Sequence, residues 1–151
     1  MFTPPEAAHG LAVLDRLDAV LDELIDLDLT SGTDDEVLDI LRGLEERSRR
    51  FEAVDHRIIG EVEGRGLAQG RACRSTAELL TQLLRVTPRE ASARMRAARQ
   101  LAPRHTLSGA PAPAAFPATA AAGAAGLISA EHAAHITSCL TKLPEPVLDE
   151  R

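Results

Sequence analysis

The sequence predicts an all-α fold, built as an acidic N-terminal helical hairpin with one long helix, then a cluster of shorter helices that includes a helix-turn-helix-like pair. Three observations carry that expectation. Apolar residues recur at spacings of three and four along most of the 151 residues. Only three aromatic residues occur, all Phe, so Ala and Leu must fill the interior, and such helix-favouring side chains suit close helix packing. No run alternates β-branched and aromatic residues, so no sheet is expected. A chain of this length can bury a core without metals or disulfides.

The first helix is expected over Leu11 to Leu27. Val13, Leu17, Val20, Leu24 and Leu27 form its apolar stripe, and Asp15, Asp18, Asp22 and Asp26 the other face. Ser31-Gly32 breaks it. Thr33 and Glu36 then make a capping box that opens a second helix, whose stripe of Val37, Leu41, Leu44, Phe51, Val54, Ile58 and Val62 extends it to about residue 63. At 1.5 Å per residue it would run roughly 45 Å, and Gly43 and Gly60 would weaken it by about 1 kcal/mol each relative to Ala. The hairpin is assigned to residues 1–63, and a basic short-helix region to residues 64–151 of the same domain.

Gly64, Gly66 and Gly70 mark a loop. Ser75 and Glu78 form a second capping box, starting a short helix with Leu79, Leu80, Leu83 and Leu84 on its buried side. Thr87-Pro88-Arg89-Glu90 ends that helix and starts the next, with Thr87 as cap and Pro88 in the first helical position. This helix runs to about Ala102, with Ala91, Met95, Ala98 and Ala102 on its inner side. A loop rich in Pro, Ala and Gly follows to about Phe116. A short Ala-rich helix is expected from Pro117 to Ala125, then a turn at Gly126, then a last helix capped by Ser129 and ending near Leu143.

Charge is unevenly spread. Residues 1–50 hold five Arg against thirteen acids, a balance of −8, whereas residues 65–104 hold nine Arg against two acids, a balance of +7. An acidic front and a basic middle imply two different surfaces, the second suited to a polyanion. The uncharged stretch between His105 and Glu131 is interrupted by Gly109, Pro111, Pro113 and Pro117, which excludes a transmembrane helix. Residues 1–10 lack the basic start and apolar run of a signal peptide, and Cys73 and Cys139 read as reduced thiols of a cytoplasmic protein.

The most informative unit is Ser75 to Leu101. Helical geometry puts Arg89, Ser92, Arg96, Arg99 and Gln100 on one face of its second helix. Major-groove reading needs a helix of this kind, because Arg pairs bidentately with guanine and Gln with adenine. Arg71, Arg74 and Arg85 stand nearby to hold phosphates. The competing reading is a plainly solvated basic face. With no aromatic platform for stacking bases, single-stranded binding is not indicated. His132, His135 and Cys139 share a face of the last helix and have the chemistry of metal ligands. Their competing role is to fill a helix contact, with His132 acting as a cap. No metal site is assigned. Neither a Gly-rich phosphate loop with Lys nor a Gly-x-Ser-x-Gly elbow is present, and no catalytic residue is assigned.

The order and spacing of several segments resemble the actinobacterial 13E12 repeat family, also called domain of unknown function 222. These segments are Gly70-Arg71-Ala72-Cys73-Arg74-Ser75-Thr76-Ala77, Leu83-Leu84-Arg85-Val86-Thr87-Pro88-Arg89-Glu90-Ala91, Arg96-Ala97-Ala98-Arg99, Phe116-Pro117-Ala118-Thr119 and Ala125-Gly126-Leu127-Ile128-Ser129-Ala130-Glu131-His132-Ala133. The resemblance implies an α-helical domain of unsettled biochemical role, often followed in full-length members by an HNH endonuclease module that uses a bound metal to cut a phosphodiester. Nothing in residues 1–151 matches that motif, so the divalent metal would belong to the absent module and no cofactor is expected in this chain. One departure is that Glu78-Leu79 stands where a bulky aromatic is often found.

Two functions are therefore expected as alternatives. In the first, the chain is a helical region that engages double-stranded DNA or positions substrate for an HNH-type nuclease, through Arg71, Arg74, Arg85, Arg89, Arg96, Arg99 and Gln100. In the second, it is a helical interaction or dimerisation module that uses the long second helix to pair with a second copy or with another protein. Whether the 37–62 stripe is covered or open discriminates between them.

Overall fold

A computed structural model of the chain describes residues 5–106 and 108–143. Six α-helices account for most of them, and the chain divides into two compact units that part between Leu41 and Arg42. The predominantly α architecture is the one expected.

The first unit holds α1 (Pro5–Ile25) and the opening turns of α2 (Asp34–Gly64). α1 starts six residues earlier than the apolar stripe suggests, with Pro5 in the first helical position, where its missing N–H costs nothing. Between the helices, the Asp28 carboxylate accepts the hydroxyl and the backbone N–H of Thr30 at 2.6 and 2.9 Å, which holds its pKa below the ordinary 3.8. The capping box at the start of α2 is reciprocal. Glu36 N–H donates to Thr33 Oγ1 at 3.3 Å, and Thr33 N–H donates to Glu36 Oε2 at 2.8 Å. Leu17 and Val37 are half-buried in this unit, while Leu14, Leu21 and Leu24 are exposed.

The second unit is organised around α3 (Thr76–Leu84) and α4 (Pro88–Leu101), joined by a three-residue turn. Ala91, Met95, Ala98 and Ala102 are all buried, as the periodicity of α4 predicts. Ala91, Met95 and Ala98 pack with Leu80 of α3 and Ile59 of α2. Close approach of α2 rests on Gly60, because a Cβ there would stand 2.9 Å from the Ala102 Cβ. The helix-weakening glycine of the sequence is therefore a contact point between helices. A second cluster joins Ala68, Cys73 and Leu79, flanked by Val62 and Leu67. Leu79 thus fills the position where the family resemblance leads one to expect an aromatic. Glu78, its neighbour, accepts the Arg74 N–H at 2.7 Å rather than that of Ser75, the cap residue.

Packing departs from the sequence expectation in three places. The face of α2 that docks within the second unit carries His56 and Ile59, both buried, with Ala53, Gly60 and Glu63 half-buried beside them. The larger stripe points outward: Leu41, Leu44, Phe51, Val54 and Ile58 are between 48% and 63% exposed. Ala53 and Gly60 on the docking face let two backbones approach, so that His56 and Ile59 between them can be buried. On α3, Leu79 and Leu80 are buried but Leu83 and Leu84 are exposed, because the nine-residue helix ends before its last turn is covered. A minimal antiparallel pair, β1 (Arg104–His105) with β2 (Pro111–Ala112), forms where only loop was expected. It is closed by Thr106 N–H donating to Ala110 O at 2.8 Å and by Gly109 at φ +80°.

α5 (Pro117–Ala124) and α6 (Ala130–Leu140) complete the unit. Their connection turns at Gly126, with φ +74°, and lies hard against α2. A Cβ at Gly126 would sit 2.6 Å from the Glu46 carbonyl oxygen. Ser129 caps α6, accepting His132 N–H at 3.2 Å and meeting His132 Nδ1 at 3.0 Å. His132 is thus not itself the cap: it supplies the capped amide, and its ring meets the cap hydroxyl.

Candidate nucleic-acid interface

α4 presents two kinds of arginine. Thr87 holds its N-terminus, accepting Glu90 N–H at 3.2 Å, so Arg89 stands in the exposed first turn. At about 100° per residue, Arg96 and Gln100 project within roughly 20° of Arg89, whereas Arg99 lies about 80° further round. That offset turns Arg99 toward α2. Its guanidinium grips Glu63 with Nε at 3.0 and 3.1 Å from the two carboxylate oxygens and Nη2 at 2.5 Å from Oε1. The hydrogen bonds to Glu63, and then its charge, raise the Arg99 pKa above its already high ordinary value. Arg94, which sequence reasoning did not single out, is held similarly, by Glu90 at 2.6 Å and Asp55 at 3.7 Å. These two arginines fasten α4 to α2.

The others are differently placed. Arg71 ends the single 3-10 turn at Gln69–Arg71, and Arg74 immediately precedes the Ser75 cap, both exposed. The Cys73 thiol between them is buried, 3.8 Å from Gln82 Oε1, which ties their loop to α3. Arg85 occupies the turn between α3 and α4 with φ 55° and ψ 36°. This left-handed C-cap position ordinarily goes to Gly, because a Cβ there costs about 1–2 kcal/mol. Among the described residues, Arg71, Arg74, Arg85, Arg89 and Arg96 make no ion pair, in contrast to Arg94 and Arg99.

Arg96 and Gln100 also line a groove with Ala134, Ser138 and Lys142 from the α6 side. Gln100 is half-buried, and its backbone oxygen accepts Phe116 N–H at 3.1 Å. Lys142 was missed by sequence reasoning. Its only signal was position, since the sole lysine of the chain falls just past the end of a helix, where cations are favoured.

His135 and Cys139 are exposed with His132 on the outer side of α6, whose inner side buries Ala133 and Thr137. Among the described residues no three His, Cys, Asp or Glu side chains gather as metal ligands. His56 is buried in a small cavity with Thr119 and Ser129, and burial pushes its pKa below the ordinary 6.5 while Glu52 and Asp55 pull it the other way. Among the described residues no helix is long and apolar enough to cross a membrane.

The chain is 36% identical over 138 residues to the uncharacterized protein Rv1945 of Mycobacterium tuberculosis (strain ATCC 25618 / H37Rv), and equally to the uncharacterized protein Mb1179c of Mycobacterium bovis (strain ATCC BAA-935 / AF2122/97), covering 90% of this chain. It spans 30% of the length of each of those relatives. The uncharacterized protein MT3572 of Mycobacterium tuberculosis (strain CDC 1551 / Oshkosh) is 35% identical over 123 residues, which is 80% of this chain and 54% of that protein. No solved structure matches. The family model described as domain of unknown function (DUF222) matches residues 38–150, an interval that takes in most of α2 and every later helix. The chain belongs to the DUF222 family.

Proposed function

We propose that the second unit engages double-stranded DNA, with α4 presented to the major groove and the loops around α3 to the phosphates. One observation carries this reading: of the nine arginines of the basic middle, Arg65, Arg94 and Arg99 are spent on Glu61, Asp55, Glu90 and Glu63, while Arg71, Arg74, Arg85, Arg89, Arg96 and Arg104 stand exposed with no acidic partner among the described residues. A merely solvated surface has no need to keep cations apart from the acids that abound in this chain. Arg89, Arg96 and Gln100 form the reading stripe, since they share one side of α4 over a span of about 16 Å. Arg71, Arg74 and Arg85 hold phosphates and set register without reading sequence. Arg99 belongs to the initial set of seven but serves in this scheme by fixing the pose of α4. Any bond cleavage lies outside residues 1–151, in line with a region that positions substrate for a nuclease module of the HNH type.

Fluorescence anisotropy with a labelled duplex, read across a salt series, tests the proposal. With three phosphate-holding cations the log–log salt slope should approach about −2.7, and the Arg85→Ala/Arg89→Ala/Arg96→Ala variant should reduce its magnitude by about 0.9 while also losing the base contacts. Arg99→Ala should leave the slope nearly unchanged while lowering thermal stability. Equal binding by the wild type and the triple variant in low salt would end the DNA reading.

A further inference from the structure

Within the second unit, α4 and α6 flank a groove of about 580 Å³, a size that suits a ligand. Its walls are alanine methyls, Ala93 and Ala97 from α4 and Ala130 and Ala134 from α6, too short to fill the space between the helices. Every charged side chain that lines it is a cation: Arg96 on α4 and Lys142 just past α6. Neither has an acidic partner among the described residues. In a chain of net charge −6, a cleft lined by cations alone stands apart from the general surface. The neutral polar groups add to this. Thr137 Oγ1 donates to Ala134 O at 3.1 Å, and Thr141 Oγ1 to Thr137 O, so both threonine hydrogens are spent on α6 itself. The Ser138 hydroxyl and the Gln100 side-chain amide make no hydrogen bond among the described residues and are free to donate into the groove. An ammonium, a guanidinium, a hydroxyl and an amide all offer hydrogens, and phosphate oxygens accept them.

We propose that this groove seats one sugar–phosphate strand of the bound duplex, with Lys142 and Ser138 donating to its phosphate oxygens and the alanine methyls meeting the deoxyribose. The inference rests on the DNA reading above and extends it to α6. A helix lying in the major groove has a phosphate strand on either side. Arg71, Arg74 and Arg85 serve the backbone from the loops around α3. The α6 groove opens on the Ala93–Ala97 side of α4, away from the side of Ala91, Met95 and Ala98 that packs against α3. Arg96 and Gln100 belong both to the reading stripe and to the lip of this groove, so a strand within it runs beside the bases they meet. Lys142 suits the backbone role, because an ammonium on a flexible stem holds a phosphate as a point charge without demanding one fixed geometry.

Anisotropy of the full chain with a labelled duplex, read across a salt series, tests this. A fourth phosphate-holding cation steepens the log–log salt slope from about −2.7 to about −3.6. Lys142→Ala should return the slope to about −2.7 and weaken binding about eightfold at about 0.1 M salt, whereas Lys142→Arg should keep the wild-type slope. Ser138→Asp places an acid in the groove at an exposed position, so it should weaken binding at least as much with circular dichroism unchanged. An unchanged slope in Lys142→Ala, with a lower Tm, would reduce Lys142 to a cation at the end of α6 and overturn the inference. A protein whose slope depends on Arg85 but not on Lys142 would keep the DNA reading and lose this groove, while a wild type that binds no duplex would remove both. A free mononucleotide presents the same phosphate oxygens. Calorimetric titration with thymidine monophosphate should show no binding at micromolar concentrations, and Lys142-dependent binding there would overturn the strand assignment in favour of a small-ligand pocket.

Discussion

Arg85→Gly should make the protein more stable and a weaker DNA binder at once. Arg85 sits at φ 55°, in the left-handed region, and its side chain is exposed with no ion pair among the described residues. Removing its Cβ relieves about 1–2 kcal/mol of backbone strain. Glycine returns about 0.4–1 kcal/mol of that through the greater freedom of its unfolded chain. A net gain of about 0.5–1 kcal/mol remains, which raises Tm by roughly 2–4 °C for a domain of this size. The same change deletes one phosphate-facing cation, so the salt slope should shrink by about 0.9. Arg85→Ala separates the two effects, since it keeps the strain and loses the charge. Differential scanning calorimetry and anisotropy on the three proteins supply both readings. A fall in Tm for Arg85→Gly would mean that the guanidinium has a structural contact, and an unchanged salt slope would remove Arg85 from the phosphate-binding set.

Two other expectations concern the packing that positions the interface. Gly126→Ala meets both a positive φ and the Glu46 carbonyl at 2.6 Å, so it should cost at least about 3 kcal/mol, with a drop in Tm of about 10 °C. Gly60→Ala meets only the Ala102 methyl, at 2.9 Å, and its overlap is partly offset by about 1 kcal/mol of helix propensity, so a loss near 1 kcal/mol is expected. Equal tolerance of both would contradict the close approach of α2. His56 sets a pH dependence. Burial depresses its folded-state pKa below 6.5, so the unfolded chain binds the proton more readily, and stability present above that value is lost as pH falls through it toward the folded pKa. The slope cannot exceed about 1.4 kcal/mol per pH unit for one proton. Urea melts between pH 7.5 and 5 should show this loss in the wild type, and His56→Gln should remove it.

Much of this was legible in the residues because it is local. The caps at Thr33, Ser75, Thr87 and Ser129 act within one turn of helix, and each was identifiable from a polar side chain standing three residues before its amide donor. The inner side of α4 was equally readable, since Ala91, Met95, Ala98 and Ala102 recur at spacings of four, three and four along one side. Family membership also follows from sequence, through short segments whose order survives over most of the chain.

Tertiary structure alone decided which surface each helix spends. α2 carries two faces able to pack. Hydropathy favours Leu44, Phe51 and Ile58, but the fold docks His56, Ile59 and Gly60, because backbone approach depends on small volume as well as on apolarity. Arg99 and Arg96 are indistinguishable by composition. Only the placement of Glu63 on another helix, thirty-six residues earlier, pairs the first and leaves the second facing outward. A residue's type is a property of the chain, whereas its partner is set by where distant segments come to rest.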